Sequence, residues 1–169
     1  MPKLAPINLK QWIDEHRSLL RPPVGNQLVY EDAEFIVMVI GGPNARKDFH
    51  YDQSEEFFYQ LEGDIVLRVV DNGMPKQIPI RQGEIFLLPP RVPHSPQRPA
   101  NTVGLVIERK RTPDELDGFQ WYCEKCGNKL YEEFHHINNI VTQLPPIFAR
   151  FYSNDSLCTC QKCGTKLQA

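Results

Sequence analysis

Hydrophobic positions along the chain fall in short runs, and the spacing within each run predicts an element. Leu9, Trp12, Ile13, His16, Leu19 and Leu20 recur at helical intervals, so a helix is predicted across Leu9 to Leu20 with Asn8 as its cap. His16 lies on that apolar face and reads as a packing residue. Arg21-Pro22-Pro23 ends the helix, because proline disfavours helical backbone in the residue before it. Val24-Gly25-Asn26 leads into a strand over Gln27 to Tyr30. Phe35 to Ile40 is a dense β-branched run, the pattern of a strand buried on both sides, and Gly41-Gly42-Pro43-Asn44 breaks it. Further strands are predicted at Phe57 to Leu61, Ile65 to Val70, Gln77 to Ile80, Ile85 to Leu88 and Val103 to Glu108. Glu62-Gly63-Asp64 and Asp71-Asn72-Gly73 are hairpin signals between them. Short strands at this spacing predict an all-β sandwich or barrel, best a small barrel with a ligand-sized mouth.

The pattern changes after Arg111-Thr112-Pro113, dividing the chain into residues 1–111 and a C-terminal extension, residues 112–169. A strand near Phe119 runs into Cys123-Glu124-Lys125-Cys126-Gly127, and Cys160-Gln161-Lys162-Cys163-Gly164 repeats that turn. Two such turns can supply four thiolates tetrahedrally to Zn or Fe, which leaves no open coordination position. Cys158 is the odd cysteine. It competes with Cys160, but only Cys160 completes the two-residue gap. Ile140 to Tyr152 is apolar-rich and is expected to pack a short helix around Pro145-Pro146 onto the barrel. His135 and His136 read as surface residues.

Composition narrows the picture. A chain of 169 residues fits one main domain with a small appendage. Lys+Arg 19 against Asp+Glu 21 gives a net charge of -2, which offers no electrostatic case for nucleic acid or a membrane surface. The segment from Met1 to Pro6 has no apolar core of a signal peptide, so a cytoplasmic protein is expected. Five cysteines then point to metal or thiol chemistry rather than a disulfide framework.

Two histidines and a carboxylate form the facial set that leaves positions open on non-haem Fe(II), and His50, Glu56 and His94 supply one. Within one strand, the even separation of His50 and Glu56 would put both on one face, unless a bend intervenes. The spacing His50-x-Asp52-x-x-x-Glu56-x6-Gly63 resembles the first cupin motif, with Asp52 where many cupins carry another histidine. Gly83-x5-Pro89-x4-His94 resembles the second.

Longer passages resemble a particular family, the 3-hydroxyanthranilate 3,4-dioxygenases in their short single-cupin form. They include Trp12-Ile13-Asp14-Glu15-His16, Pro22-Pro23-Val24-Gly25-Asn26, Glu55-Glu56-Phe57-Phe58-Tyr59-Gln60, His94-Ser95-Pro96-Gln97-Arg98-Pro99 and Phe119-Gln120-Trp121-Tyr122-Cys123. The resemblance implies a cupin (jelly-roll) barrel with an N-terminal helix and a rubredoxin-like knuckle of Cys123, Cys126, Cys160 and Cys163 holding Fe or Zn. It implies Fe(II) on His50, Glu56 and His94, with Glu56, Arg46, Arg98 and Glu108 at the substrate. The substrates would be 3-hydroxyanthranilate and O2, the product 2-amino-3-carboxymuconate 6-semialdehyde, and the protein a cytoplasmic homodimer of tryptophan degradation or NAD synthesis. Asn26, Phe58 and Pro96 would wall the pocket. An arginine fork suits a carboxylate independently of the resemblance. Alternatively, Arg98 and Glu108 pair with each other and Arg46 is a solvated charge. Competing functions are a cupin isomerase, another cupin oxygenase, or a non-catalytic cupin that binds a small aromatic acid.

Overall fold

The computed structural model describes residues 4–22, 25–31, 33–137 and 140–168, with residues 140–142 described by backbone alone. Met1 to Lys3, Pro23 and Val24, which entered the sequence reading, lie outside the described residues, as do the side chains at 140–142. The chain forms two antiparallel sheets that face each other. The first orders β1 (Asn26–Leu28), β2 (Phe35–Gly41), β10 (Val103–Arg109), β5 (Glu56–Glu62) and β8 (Ile85–Leu88). The second orders β12 (Lys129–His135), β11 (Asp117–Tyr122), β4 (Asp48–Tyr51), β9 (His94–Arg98), β6 (Ile65–Asp71) and β7 (Met74–Ile80), with β3 (Asn44–Ala45) beside β9. Two facing sheets of short antiparallel strands are the all-β architecture that the sequence predicts. Met38, Ile40, Phe58, Leu67, Val69, Leu88 and Val106 fill the space between the sheets.

Helix α1 spans Leu9–His16 and continues as a 3-10 turn over Arg17–Leu19. Asn8 caps it by accepting from the Gln11 N–H at 3.0 Å. Ile13 and Leu20 bury against Val39 and Val103 on the outside of the first sheet, whereas Leu19 stays 51% exposed. His16 stacks on Trp12 at 4.0 Å, as a packing residue should.

Several strand expectations need correction. β2 is not buried on both sides throughout: Phe35 is 56% exposed, and only Met38 to Gly41 are buried. The helix covers one end of the sheet and leaves the other open. β7 begins at Met74 rather than Gln77, despite Pro75 and Pro79. It is an edge strand, where a missing N–H disrupts no second ladder.

β11 pairs with β4, so the chain beyond residue 111 extends the second sheet. Helix α2 (Ile140–Tyr152) lays Ile147 and Phe151 against Phe119 and Trp121. The stacked Trp121–Phe151 pair, with centroids 4.4 Å apart, anchors this second core. Helix α3 (Asp155–Cys158) then leads into the last cysteine turn. No helix of the described residues is long and apolar enough to cross a membrane.

Candidate active site

His50 and Glu56 do not share a strand. His50 stands on β4 in the second sheet and Glu56 on β5 in the first. Asp52 turns the chain between the sheets by accepting from the Ser54 N–H at 2.9 Å and its hydroxyl at 3.1 Å. The two candidate ligands therefore meet across the barrel interior, not along one face. His94 opens β9 directly opposite His50 in the ladder. One ligand atom from each of His50, Glu56 and His94 lies within 4.8 Å of the others.

Their surroundings suit a metal. His94 donates from Nδ1 to the Val92 carbonyl at 3.1 Å, which points Nε2 at Glu56 Oε2, 2.7 Å away. That approach lacks hydrogen-bond geometry, and Glu56 Oε2 is buried without a hydrogen-bond partner among the described residues. Two electron-pair donors converging on one buried point fit a cation between them. Asp117 sits 2.7 Å from His50 Nε2, the carboxylate support that orients a ligand imidazole.

The proposed substrate residues gather around this point. Arg98 is only 3% exposed and donates from Nη1 to Gln60 Oε1 at 3.2 Å, while its Nη2 has no partner among the described residues. Burial pushes its guanidinium down to about 10, with Glu56 pulling the other way. Glu108 stands opposite Glu56 in the β10–β5 ladder. Burial first, then the charge of Glu56, pushes its carboxyl up to about 8. The Arg98–Glu108 pair does not form, since Glu108 bonds Arg111 instead. Arg46 is not a solvated charge either. It is half-buried, forks onto Asp48, and lies 5.4 Å over the Phe148 ring. Of the expected pocket walls, Phe58 is core, edge-on to His94 at 6.3 Å, and Pro96 shares the inner face of β9 with His94 and Arg98. Asn26 is half-buried on β1, in the other sheet.

Arg111 is the residue that sequence reasoning missed. Its guanidinium donates to Glu108 at 2.7 Å and to Asp117 at 2.7 Å, and reaches Asp52 at 3.2 Å. Burial lowers its pKa, but Glu108 and Asp117 more than offset this and hold it above the usual arginine value. One cation thus ties the turn between sheets, the partner of His50 and Glu108. Arg111→Ala should destabilise the protein by about 3–5 kcal/mol, because three buried carboxylates lose their shared counter-charge. Urea unfolding measures this, and a loss below about 1 kcal/mol would make the cluster a solvated one.

The second metal group is built from two matching knuckles. The Gly127 N–H donates to the Cys123 carbonyl and the Gly164 N–H to the Cys160 carbonyl, each at 2.8 Å. Both glycines have φ near +70° (+71° and +72°), a conformation that side chains disfavour. Sγ atoms of Cys123 and Cys163, and of Cys126 and Cys160, lie 3.6 Å apart. A tetrahedral centre with metal–sulfur bonds of about 2.3 Å separates its sulfurs by about 3.8 Å, so the donor set fits. Cys158 is excluded from it, buried and donating to the Phe151 carbonyl at 3.1 Å. His135 and His136 are half-buried rather than on the surface. His135 lies 3.1 Å from Glu133, and His136 Nδ1 is 3.1 Å from the Glu115 carbonyl.

Comparisons with known proteins point to one family. A family model described as 3-hydroxyanthranilic acid dioxygenase matches residues 1–152. The chain is 59% identical to the 3-hydroxyanthranilate 3,4-dioxygenase of Xanthomonas euvesicatoria over 95% of its length and 91% of the relative's. It is 53% identical to the enzyme of that name from Jannaschia sp., over 97% and 92% of the two chains. A cupin-2 domain protein from Shewanella frigidimarina superposes with a TM-score of 0.50 at 18% identity, over 62% of this chain and 94% of that one, a likeness of fold. With the matched segment spanning both sheets and the whole His50, Glu56 and His94 cluster, the chain belongs to the 3-hydroxyanthranilic acid dioxygenase family.

Proposed function

We propose that this protein is a ring-cleaving dioxygenase that converts 3-hydroxyanthranilate and O2 to 2-amino-3-carboxymuconate 6-semialdehyde. Both oxygen atoms enter the product, which can lose water and close to quinolinate, so the reaction serves tryptophan degradation and NAD synthesis. The observation that carries this reading is Arg98: a buried guanidinium with one unpartnered nitrogen, in the same interior as the two histidines and Glu56. A buried arginine without a full set of acceptors suits an anionic guest.

Iron(II) on His50, Glu56 and His94 would supply open coordination positions for the substrate's hydroxyl and amino groups and for oxygen. Arg98 grips the substrate carboxylate and so fixes which edge of the ring faces the metal. Glu108, whose proton affinity burial and Glu56 raise, accepts a hydrogen bond or, as the carboxylate, a proton from the substrate's amino or hydroxyl group. Arg46, held charged by Asp48, stabilises negative charge that develops on oxygen. Residues 1–111 supply the metal and substrate groups of this chemistry, with Asp117 of the extension supporting His50, and the rest of residues 112–169 would hold Zn or Fe in a closed four-cysteine centre. Five free cysteines suit the reducing cytoplasm. A homodimer is proposed through the outer face of the first sheet, where Phe35, Ile85 and Leu87 are 56%, 64% and 52% exposed, and sedimentation equilibrium tests it.

The test of the main reading uses anaerobically iron-loaded protein given 3-hydroxyanthranilate, with oxygen uptake and the absorbance of the semialdehyde followed together. Stoichiometric uptake is expected. Binding without uptake would point to a non-catalytic cupin. Arg98→Ala should raise KM by about a hundredfold, the loss of a charge-assisted pair in a partly dry site. Lysine should restore only part, since it lacks the planar fork. 2-Aminophenol, which has no carboxylate, should be a poor substrate for both proteins and no worse for Arg98→Ala. Equal impairment with both substrates would move the carboxylate site elsewhere, first to Arg46.

A further inference from the structure

Arg98 does not hold itself in place. The side chain opposite it belongs to Gln60, which is 1% exposed on the inner face of β5. Gln60 Nε2 donates to the carbonyls of Glu62 at 2.9 Å and Val103 at 3.1 Å, at the point where the β10–β5 register shifts. Both acceptors are carbonyls, so the amide has a single orientation, with Oε1 turned towards Arg98. Oε1 then takes one hydrogen bond from Nη1 and leaves Nη2 free. Room for the fork comes from Gly104, the ladder partner of Gln60. A Cβ there would stand 2.8 Å from Arg98 Nη1 and 2.8 Å from Gln60 Oε1, well inside contact distance.

We propose that Gln60 is a positioning residue for substrate recognition, fixing the guanidinium of Arg98 so that its free edge meets the substrate carboxylate, with Gly104 as the gap that admits it. The inference rests on Arg98 holding that carboxylate. It makes the strength of the grip a property of Gln60 as well as of Arg98. A neutral acceptor orients the arginine without neutralising it. A glutamate at this position would pair with the guanidinium, compete with the substrate's own carboxylate, and face two carbonyls with no donor to offer them.

The experiment compares iron-loaded wild type with Gln60→Glu, Gln60→Ala, Gly104→Ala and Arg98→Ala. Turnover of 3-hydroxyanthranilate and 2-aminophenol is measured for each, with anaerobic calorimetry of 3-hydroxyanthranilate binding. Gln60→Glu should weaken binding of the acid and raise its KM by about tenfold or more, with kcat little changed and 2-aminophenol turnover unaffected. Gln60→Ala should do the same to a smaller extent, because it removes the anchor without adding a competitor. Gly104→Ala should follow Gln60→Ala. A residue that served only the fold would harm both substrates alike, and alanine at least as much as glutamate, so either pattern overturns the proposal. Unchanged binding of the acid in both Gln60 variants overturns it too. Arg98→Ala separates the two levels: if it spares the distinction between substrates, the carboxylate assignment itself falls, whereas a normal Arg98→Ala result with silent Gln60 variants removes Gln60 alone.

Discussion

His94→Ala should empty the catalytic metal site and abolish ring cleavage while the barrel stays folded. The imidazole is 2% exposed, faces His50 in the strand ladder and holds Nε2 towards Glu56 Oε2 at 2.7 Å. Alanine leaves one histidine and one carboxylate around a hole, and two donors hold a divalent ion poorly in competition with water. The ion's several kcal/mol of charge stabilisation go with it, so kcat/KM should fall by at least about a thousandfold. Folding should survive, because β9 remains paired to β6 along Ser95 to Gln97 and the lost side chain makes one protein hydrogen bond, to Val92. His50→Ala and Glu56→Ala should behave alike, with Glu56→Ala also leaving Arg98 and Arg111 short of a nearby negative charge. Metal analysis beside a thermal melt decides the matter. Full occupancy of the catalytic site in any of the three folded variants removes that residue from the ligand set.

The candidate ligands were legible in the sequence, whereas the way they meet was not. Histidine, glutamate and histidine at cupin spacings name the donors, and two Cys-x-x-Cys-Gly turns name the second centre. Periodicity within a segment could not show that the chain crosses from one sheet to the other between His50 and Glu56. That crossing depends on Asp52, whose role is a turn and a partner for Arg111. Arg111 itself sits between Lys110 and Thr112-Pro113, a polar stretch that reads as a linker. Asp52 is brought to it by the fold, and although Glu108 and Asp117 are near in sequence, nothing local shows that their side chains converge on it. Strands β9 and β12 were missed for a related reason. His94–Arg98 carries a proline and hardly an apolar residue, and Lys129–His135 is largely polar. Each is a strand because its neighbours in the sheet supply the ladder, and intrinsic propensity counts for little there. Gln60 entered only as the last residue of the passage Glu55 to Gln60, yet strand alternation puts it on the buried face with Glu56 and Phe58.

Loss of the cysteine centre should cost stability far more than activity. Cys126→Ser or Cys163→Ser is expected to lower stability by about 3 kcal/mol, a fall in Tm of about 10 °C for a chain of this length. Folded molecules should keep most of their kcat. The physical ground is that four thiolates around one ion would close its coordination sphere, so that no substrate atom could enter it. What the centre holds is the tail. Its two knuckles join the end of β11 to the segment after α3, and between them α2 packs Phe151 on Trp121. That block reaches the active site at its edge, since Phe119 stacks on His50 at 5.7 Å and Phe148 lies beneath Arg46. A loosened tail should therefore lower kcat modestly, through Arg46, without emptying the His50 site. Cys158→Ala is the control: its thiol bonds only the Phe151 carbonyl among described residues, so both metals should remain bound. Separate measurement of metal content, melting and kinetics on these variants resolves the two centres. Should well-folded Cys163→Ser prove as inactive as His94→Ala while retaining its catalytic metal, the cysteine centre takes part in the chemistry and does more than pin the tail.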